Sequence, residues 1–509
     1  MNTLLSNLEK NLAAFKKALP AEDILTYTFQ TADNVNCAVI YADGIVNKQL
    51  LGDLLARPLS RLSLKSELQK QENSKNGGGR YEFIFEIVQK TTLFPELKKV
   101  EKMQDAVKEI LDGNSLLLID GTPLGLIVGA KFLPVRTIME PPTDVAIKGP
   151  REGFIEDIKT NMALVRKRLK TPDLRFETLR IGKRSDTNVT LCWLEGTSDS
   201  EVKEEIKKRL KQVEIDCIPD SSYIAALLSP RKHSLFKSLG TTEKPDIFTA
   251  KISEGRVGIL VDGSPIALTA PFVLTEDLQS SEDYFISPFM ATITRCLRTM
   301  ALFIAVLLPA FYVSAQLFKM QIFPLSLTLT IASSVRELPF SPSLEMFVVL
   351  LLLEILKEAS IRMPKYVGMS LSVVGALVLG ETAVSAGFLS TPAIIIVAFS
   401  GICLYTVPNF VETGSVLRWI FLLAAGSIGP FGITLFLAFL IGYLLSSDAF
   451  GAPLVAPFSP LLPHDLRDSV VKYDMGSLTT RPKLYRSKNQ TRLRFHAKQQ
   501  TSNQEENAK

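Results

Sequence analysis

Uneven hydropathy constrains this chain more than any other feature. Long apolar runs lie between residues 300 and 446, whereas the sequence up to residue 284 is mixed and charged. The sequence after residue 465 is polar and basic again. Because about 18 consecutive apolar residues suffice to cross a bilayer, we predict a large soluble front, a membrane domain and a short basic tail.

The first residues do not have the pattern of a signal peptide. Glu9, Lys10, Lys16 and Lys17 interrupt their apolar positions, so no continuous apolar core of the required length is present. We therefore expect the soluble front to stay on the cytosolic side.

Cysteine, histidine and charge exclude several classes of function. The five cysteines are scattered without a CxxC pair, and the three histidines lie far apart. This argues against a disulfide framework, a zinc site or His-based catalysis. The net charge is only +5, so no nucleic acid is expected as a partner. We interpret the strongest basic cluster, residues 168–184, as a solvated face, and we predict no cofactor and no enzymatic activity.

The soluble front contains an internal duplication. The stretch ILDGNSLLLIDGTPLGLI, which begins at Ile110, matches ISEGRVGILVDGSPIALT, which begins at Ile252, with a constant offset of 142. Each copy predicts a β-hairpin with Asp-Gly-(Thr/Ser)-Pro at its tip. Upstream, residues 33–44 resemble residues 186–196, and a charged helical stretch follows each. The sequence therefore predicts two related α/β subdomains.

The repeated turn invites a catalytic interpretation of Asp120 and Asp262. A catalytic Asp needs a partner carboxylate, base or metal ligand, and neither copy supplies one. The turn itself needs Asp and Gly for geometry, with Asp bonded to the backbone two residues on. We favour the structural role for Asp120, Asp262, Gly263 and Pro265.

Two local features stand apart from the repeat. Residues 69–80 form a polar, Gly-rich insertion, which predicts a mobile loop. The turn KGPREGF, Lys148–Phe154, precedes an amphipathic helix and either holds an anion at the helix start or ties the two subdomains together. We favour the tie.

The apolar region predicts four to six crossings. Residues 300–317 suffice for one span, and residues 322–335 are shorter and rich in Ser and Thr, so they are re-entrant, interfacial or a short span. Residues 419–446 are interrupted by GSIGPFG and form either one kinked span or a helical hairpin. The basic excess of the tail predicts a cytosolic C-terminus and an even number of crossings.

Ionisable residues within the apolar region are candidates for an ion path. Glu354 and Glu358 are four residues apart, so they share a helix face, and in a homo-oligomer each would form a ring of carboxylates. The other candidates are Arg336, Glu337 and Glu381. The alternative is internal ion pairing, of Arg336 or Lys357 with a Glu, or a position at the water interface.

Several short motifs resemble the A subunit of bacterial spore germinant receptors. They occur in order over roughly residues 25–485: GPREGF, VDGSP, SEDYF, VRELPF, EILKEASIRMP, VGALVLGETAV, FGAPLVAP and RPK. The residues carried over as structural motif positions are Gly149, Pro150, Arg151, Glu152, Arg362 and Pro364. Lys148 stands where the family commonly has Arg, and Glu381 where Gln is common, which puts an ion-path role of Glu381 in doubt.

The resemblance implies a function in the inner membrane of an endospore. It implies a homo-oligomer, a pentamer, that assembles with a permease-like B subunit and a lipoprotein C subunit and forms a nutrient-gated cation channel in membrane lipid. The alternative is a non-conducting membrane scaffold. The predicted divisions are an N-terminal helix (1–24), the two subdomains (25–145 and 146–290), the transmembrane domain (291–462) and a basic cytosolic tail (463–509) with a disordered end.

Overall fold

A computed structural model describes most of the chain. The described residues are 3–64, 66, 80–92, 94, 96–132, 148–231, 234–318, 320–336, 338–362, 374–375 and 378–493. The polar insertion at 69–80 lies outside them apart from its last residue. The predicted end of the tail lies outside them as well.

Two α/β units with the same topology make up the soluble front. Each contains a five-stranded antiparallel sheet, with strand order β1-β2-β4-β5-β3 in the first and β6-β7-β9-β10-β8 in the second. The predicted hairpins are confirmed, because β4 pairs with β5 and β9 pairs with β10 in antiparallel register. The strands are β1 (Ile24–Gln30), β2 (Asn36–Ala42), β3 (Leu97–Val100), β4 (Ser115–Ile119), β5 (Gly125–Val128), β6 (Leu174–Ile181), β7 (Thr187–Leu194), β8 (Gly240–Thr242), β9 (Val257–Val261) and β10 (Ala267–Ala270).

Helices cover both faces of each sheet. The sheet therefore divides the apolar core of each unit into two layers. The first unit begins with α1 (Leu8–Ala18), which packs on its sheet, and the second begins with the equivalent α6 (Ile158–Arg168). The remaining helices of the first unit are α2 (Lys48–Leu50), a π-helical segment (Leu51–Ala56), α3 (Arg57–Ser60), α4 (Arg80–Thr91) and α5 (Met103–Leu111). Those of the second are α7 (Ser200–Lys211), α8 (Ser221–Leu228) and α9 (Pro245–Ser253).

The repeated Asp-Gly turn fastens the first helix of each unit. The Asp120 Oδ1 atom accepts a hydrogen bond from the Leu8 backbone N–H at 3.1 Å, and Asp262 Oδ1 accepts one from Ile158 N–H at 3.4 Å. These N–H groups belong to the first residues of α1 and α6, which have no partner within the helix. The turn carboxylates therefore bond a distant helix start, not the backbone two residues on as predicted. The glycines after them adopt positive φ angles of +85° and +83°.

At one pair of equivalent core positions, the large and the small side chain are interchanged between the two units. In the second unit the Phe248 ring of α9 occupies the space beside Gly258 in β9, where a Cβ atom would lie 2.2 Å from the ring. The equivalent residues of the first unit are Ala106 and Leu116, both fully buried. A large helix residue and a small strand residue thus replace a small helix residue and a large strand residue, which keeps the packing density of a protein interior.

The basic cluster at 168–184 is only partly the predicted solvated face. It contains strand β6, whose Leu174 and Phe176 side chains are buried. Just before it, the Arg166 guanidinium is 1% exposed and forms two 2.8 Å hydrogen bonds to the Asp23 carboxylate of the first unit. This buried pair joins the two units.

The C-terminal region is helical. Its helices are α10 (Pro288–Phe318), α11 (Leu325–Val335), α12 (Pro342–Arg362), α13 (Ala383–Ser385), α14 (Thr391–Tyr405), α15 (Val411–Ile428) and α16 (Pro430–Leu445), and a π-helical turn (Val378–Thr382) precedes α13. In the described residues, two helical segments are long and apolar enough to cross a membrane, Pro288–Phe318 and Pro408–Ile428. Three shorter apolar helices accompany them: α11, α14 and α16.

Apolar side chains fill the interior of this helical region. The long helix α10 packs against both α14 and α15, and buried clusters surround it. The GSIGPFG stretch forms a helical hairpin and not one kinked span: α15 ends at Ile428, Gly429 has φ +70°, and α16 returns with Phe436 against Phe421. The Ser/Thr-rich α11 is a separate helix of 11 residues with Ile331 as its buried residue.

Candidate functional site

Two of the short sequence motifs, GPREGF and SEDYF, are far apart in the sequence but contact each other in the second unit. Gly149, with φ +115°, packs so closely on the Phe285 ring that a Cβ atom would lie 2.5 Å from it. The Lys148 N–H also donates to Glu282 Oε1 at 3.3 Å. The turn at 148–154 therefore contacts the SEDYF stretch, which leads directly into α10.

The motif carboxylate of this turn, Glu152, is held by α6. It accepts bonds from Lys167 Nζ at 2.7 Å and Arg168 Nη2 at 2.9 Å. Partial burial raises its pKa, but the two bases outweigh burial and hold the pKa below its usual value. Pro150 is half-buried and Arg151 is exposed. These ion pairs hold the turn against α6 within the second unit, so the predicted tie between the two units stays a prediction.

A buried group of charges fixes the start of α10. The Asp283 carboxylate is fully buried and accepts 2.9 Å bonds from Arg295 Nε and Arg298 Nη1. Arg295 also reaches the tail, where its Nη1 atom donates to Asp468 Oδ1 at 3.0 Å, and the Tyr284 hydroxyl donates to Asp468 Oδ2 at 3.0 Å. Burial raises the Asp283 pKa, yet the bonds from both arginines leave it below its ordinary value. The second unit, α10 and the tail thus share one network, the Asp283 network.

A second buried group of charges joins the tail to the second unit. Arg256 Nη1 lies 2.6 Å from Glu276 Oε1, and Lys251 Nζ lies 2.7 Å from Glu276 Oε2. The Tyr485 side chain from the tail stacks on the guanidinium at 4.1 Å and accepts a hydrogen bond from it. Burial raises the pKa of Glu254, the other carboxyl that pairs with Arg256. The arginine is thus neutralised within this Arg256 network.

A cavity of about 450 Å³ opens between these networks. Its lining combines Lys244 and Asp277 of the second unit with Arg298 of α10, Asn409 of the helical region and Arg492 of the tail. Burial raises the pKa of the Asp277 carboxyl to about 7. The second unit, α10 and the tail, which the two networks hold together, therefore all contribute residues to the lining of the cavity.

Within the helical region, Glu354 belongs to an interior network. Its Oε1 atom lies 2.7 Å from Arg418 Nη2, and Lys357 pairs with Oε2. Arg418 is 2% exposed and also donates to Ser400 Oγ at 3.2 Å, which in turn donates to the Ala305 carbonyl at 2.7 Å. The network connects α10, α12, α14 and α15. The pairing of Lys357 with a Glu was the alternative interpretation from the sequence.

The other ion-path candidates that the structure describes lie at the surface of the single chain. The Glu358 side chain is 56% exposed and pairs with Arg362 at 2.6 Å, one helical turn away. Arg336 at the end of α11 and Glu381 in the π-helical turn are exposed too. Glu337 and Pro364 lie outside the described residues. The structure therefore separates Glu354, inside the bundle, from Glu358, outside it.

The remaining motif positions, Asp120, Asp262, Gly263 and Pro265, lie at the tips of the two hairpins. Asp262 also accepts a 3.3 Å bond from the Asn188 side chain. Both carboxylates hold backbone groups in place, and among the described residues no cluster of three His, Cys, Asp or Glu side chains is arranged to hold a metal ion.

Arg256 and Arg418 were not among the residues predicted from the sequence. Arg418 had a signal, since it is a lone charge within an apolar stretch. Arg256 had none, because its partners Glu276 and Tyr485 are distant in sequence.

Comparison with known proteins places these features in a family. The family model of the Bacillus/Clostridium GerA spore germination protein matches residues 11–484. Spore germination protein KA of Bacillus subtilis is 32% identical over 481 residues, which covers 94% of this chain and 86% of that protein. An uncharacterised membrane protein of the same organism, YfkQ, is 33% identical over 482 residues, 94% of this chain and 91% of that one.

A solved structure also matches the soluble front. It is the crystal structure of the N-terminal domain of the A subunit of the Bacillus megaterium spore germinant receptor GerK3. It is 30% identical, covers 53% of this chain and 98% of that chain, and has a TM-score of 0.41. On the match to the family model and the relatives, the chain belongs to the GerA family, whose members include spore germination proteins of the A-subunit type.

Proposed function

We propose that this protein is the A subunit of a nutrient germinant receptor in the inner membrane of an endospore, where a ring of copies, a pentamer, conducts monovalent cations. In this proposal a permease-like B subunit binds the nutrient and a lipoprotein C subunit completes the receptor. Nutrient binding to the B subunit opens the ring, and the cations released start germination.

The observation that carries the channel proposal is the position of Glu358. Apart from Glu358 itself, its partner Arg362 and Ser360, the exposed residues of helix α12 are apolar, and Ile355 and Ile361 beside Glu358 are 55% and 73% exposed. An ionisable pair on such a surface is costly in lipid, so it calls for water or a second protein copy. Because apolar clusters fill the interior of one chain, a water-filled path fits best between copies.

The packing of the tail supports an even number of crossings. Tyr485 and Arg481 of the tail contact the second soluble unit, where Arg481 Nε donates to the Ser253 carbonyl at 2.6 Å. At the end of α16, Ser447 accepts a 2.9 Å bond from Arg231 of the same unit. Chain segments that pack together lie on one side of a membrane, which we infer to be the cytosolic side.

Flux measurements on the reconstituted receptor test the proposal. Potassium release upon nutrient addition is compared for the wild type, Glu358→Gln, Glu354→Gln and the double variant. We expect Glu358→Gln to lower cation selectivity while assembly persists, because the proposed ring loses its charges. Glu354→Gln should reduce the yield of folded protein as well, because it leaves Arg418 buried beside a neutral partner.

The matched control is Glu205→Gln on the soluble helix α7. Glu205 also pairs with an arginine four residues on, Arg209, at 2.7 Å. If conductance and selectivity of both glutamate variants equal those of this control, the carboxylate ring is wrong. The non-conducting scaffold, the second candidate, predicts that outcome and further predicts that flux survives any change on the exposed face of α12.

A further inference from the structure

The long helix α10 lacks one backbone hydrogen bond, because it contains a proline. Pro309 is buried and has no N–H group, so it cannot donate to the carbonyl of Ala305, four residues earlier. Ala305 is itself 0% exposed, so water does not reach this carbonyl. A buried carbonyl without a donor is costly, and a donor from another part of the fold has to replace the missing one.

The replacement donor belongs to a neighbouring helix. The Ser400 hydroxyl of α14 is 0% exposed and donates to the Ala305 carbonyl at 2.7 Å. A serine inside a helix commonly bonds to a carbonyl one turn earlier in its own helix. Ser427 of α15 does this, since its hydroxyl donates to the Leu423 carbonyl at 2.8 Å. Ser400 departs from that pattern and bonds across to α10.

The direction of the Ser400 hydroxyl is fixed by the Glu354 network. Arg418 Nη1 donates to Ser400 Oγ at 3.2 Å, and Arg418 Nη2 donates to Glu354 Oε1 at 2.7 Å. A guanidinium can only donate, and a hydroxyl has a single hydrogen. Ser400 therefore accepts from Arg418, and its own hydrogen is left for Ala305. The charge network thus ends on the backbone of α10, beside Pro309.

Different partners hold α10 on the two sides of this proline. Before Pro309, the Asp283 network fixes the first turns of α10 to the second unit and the tail. After it, Tyr312 and Val313 belong to an apolar cluster that includes Met346 of α12. Helices bend most readily at a proline, and here one bond of the ladder is a side-chain bond from another helix. Movement of the second unit would therefore be taken up at this point.

We propose that residues 305–309 are a hinge of α10 and that Ser400, oriented by Arg418 and Glu354, is its clamp. With the Ser400 bond in place, α10 is the continuous helix of the structure. When that bond breaks, the part of α10 fixed to the second unit turns relative to the part packed against α12. The hinge does not require the protein to conduct, and it is separate from Glu358.

A double-mutant cycle on the full-length protein in lipid nanodiscs tests the bond. Pro309→Ala restores an N–H that can donate to Ala305, so the Ser400 hydroxyl is no longer needed there. We expect Ser400→Ala to lower Tm by several degrees in the wild type and by clearly less in the Pro309→Ala background. The loss that remains comes from Arg418, which lacks an acceptor in both.

The matched control for the cycle is Ser427→Ala, which removes a hydroxyl that bonds within its own helix. It should change Tm by the same amount in the wild type and in the Pro309→Ala background, because it has no part in the hinge. Equal losses from Ser400→Ala in the two backgrounds would overturn the proposal.

Hydrogen–deuterium exchange of residues 306–313 in the same nanodiscs tests the motion. Amide exchange reports local opening, and loss of one hydrogen bond of ordinary strength should speed it by roughly two- to tenfold. We expect this increase in Ser400→Ala, wild-type exchange in Ser400→Thr, which keeps the hydroxyl, and slower exchange in Pro309→Ala. If Ser400→Ala leaves the exchange unchanged, the bond only satisfies a carbonyl and the hinge is wrong.

Arg418→Lys separates the orientation of the hydroxyl from the charge. Lysine keeps the positive charge but presents one ammonium in place of the two nitrogens that reach Glu354 and Ser400. We expect exchange at the hinge between that of the wild type and that of Ser400→Ala. Wild-type exchange in a folded Arg418→Lys protein would remove Arg418 and Glu354 from the clamp. If this variant does not fold, the Ser400 variants decide.

Discussion

The two soluble units share one fold but differ in what their charges do. In the first unit, ion pairs such as Lys98–Glu109 and Lys131–Asp112 lie at the surface. In the second, Arg256, Glu276 and Asp283 are buried. Arg256, which pairs with Glu276, also contacts Tyr485 of the tail, and Asp283 pairs with arginines of α10. Surface pairs contribute little to stability, whereas breaking a buried pair is costly. The duplication thus supplied two copies of one scaffold, of which one became the attachment to the helical region.

Substitution of Arg256 should give the largest difference in stability between matched variants of the two units. Its equivalent in the first unit is Asn114, which donates a 2.8 Å bond to Glu109. Arg256→Ala leaves Glu276 and Glu254 buried with less positive charge, so we expect a loss of about 4 kcal/mol. The matched Asn114→Ala should cost about 1 kcal/mol. Thermal unfolding of both variants measures the contrast.

Limited proteolysis of the tail gives the second measurement for this pair of variants. Because Tyr485 stacks on Arg256, Arg256→Ala should release the tail and expose it to protease, and Asn114→Ala should not. Equal losses of stability in the two variants, with the tail protected in both, would contradict the specialised role of the second unit.

The core pair of one unit can be converted by substitution into the core pair of the other. Phe248→Ala should destabilise the protein by about 3 kcal/mol through the cavity it leaves. Gly258→Leu alone should also destabilise it, because its Cβ atom would meet the Phe248 ring. The double variant recreates the Ala106 and Leu116 pair of the first unit, so we expect it to recover much of both losses. Thermal unfolding of the four proteins completes the double-mutant cycle.

Additive losses in that cycle would show that the two cores are not equivalent. The reciprocal change, Ala106→Phe with Leu116→Gly, is the control in the first unit. It should show coupling of the same sign, because residues in contact depart from additivity.

Sequence periodicity and repetition were sufficient for the hairpins but not for the networks. The offset of 142 predicts β4, β5, β9 and β10 because a hairpin is a local structure with its own turn residues. Strand β6 was not predicted, because its apolar residues alternate with Arg175 and Arg180 within a stretch that is basic as a whole. Pairs such as Arg166–Asp23 and Arg256–Tyr485 join residues 143 and 229 positions apart, and nothing local encodes them.

The pH dependence of stability should sharpen the comparison. The pKa of Asp277, which lines the cavity of the second unit, is raised from 3.8 to about 7, chiefly by burial and against the attraction of Lys237. Because the folded state holds this proton more tightly, its contribution to stability is lost as pH rises from about 4 to about 7. We expect Asp277→Asn to be more stable than the wild type at pH 8, by at most the roughly 4 kcal/mol that a shift of this size represents, and to gain nothing below pH 4. Equal differences at both pH values in thermal unfolding would be evidence against a titrating Asp277.

The smallest expected effect separates the two hairpin turns. Asparagine keeps an oxygen for the helix N–H, so Asp120→Asn should cost about 0.5 kcal/mol or less. Asp262 also accepts a bond from the Asn188 side chain, and an amide in its place sets two donors against each other unless the Asn188 amide turns over to offer its oxygen. Asp262→Asn should therefore cost about 1 kcal/mol. Thermal unfolding of both variants measures the difference, and potassium release by the assembled receptor should be unchanged in each. Loss of release in Asp262→Asn with fold and assembly intact would mean that this turn does more than hold the helix, and would restore the chemical interpretation of the repeated Asp-Gly.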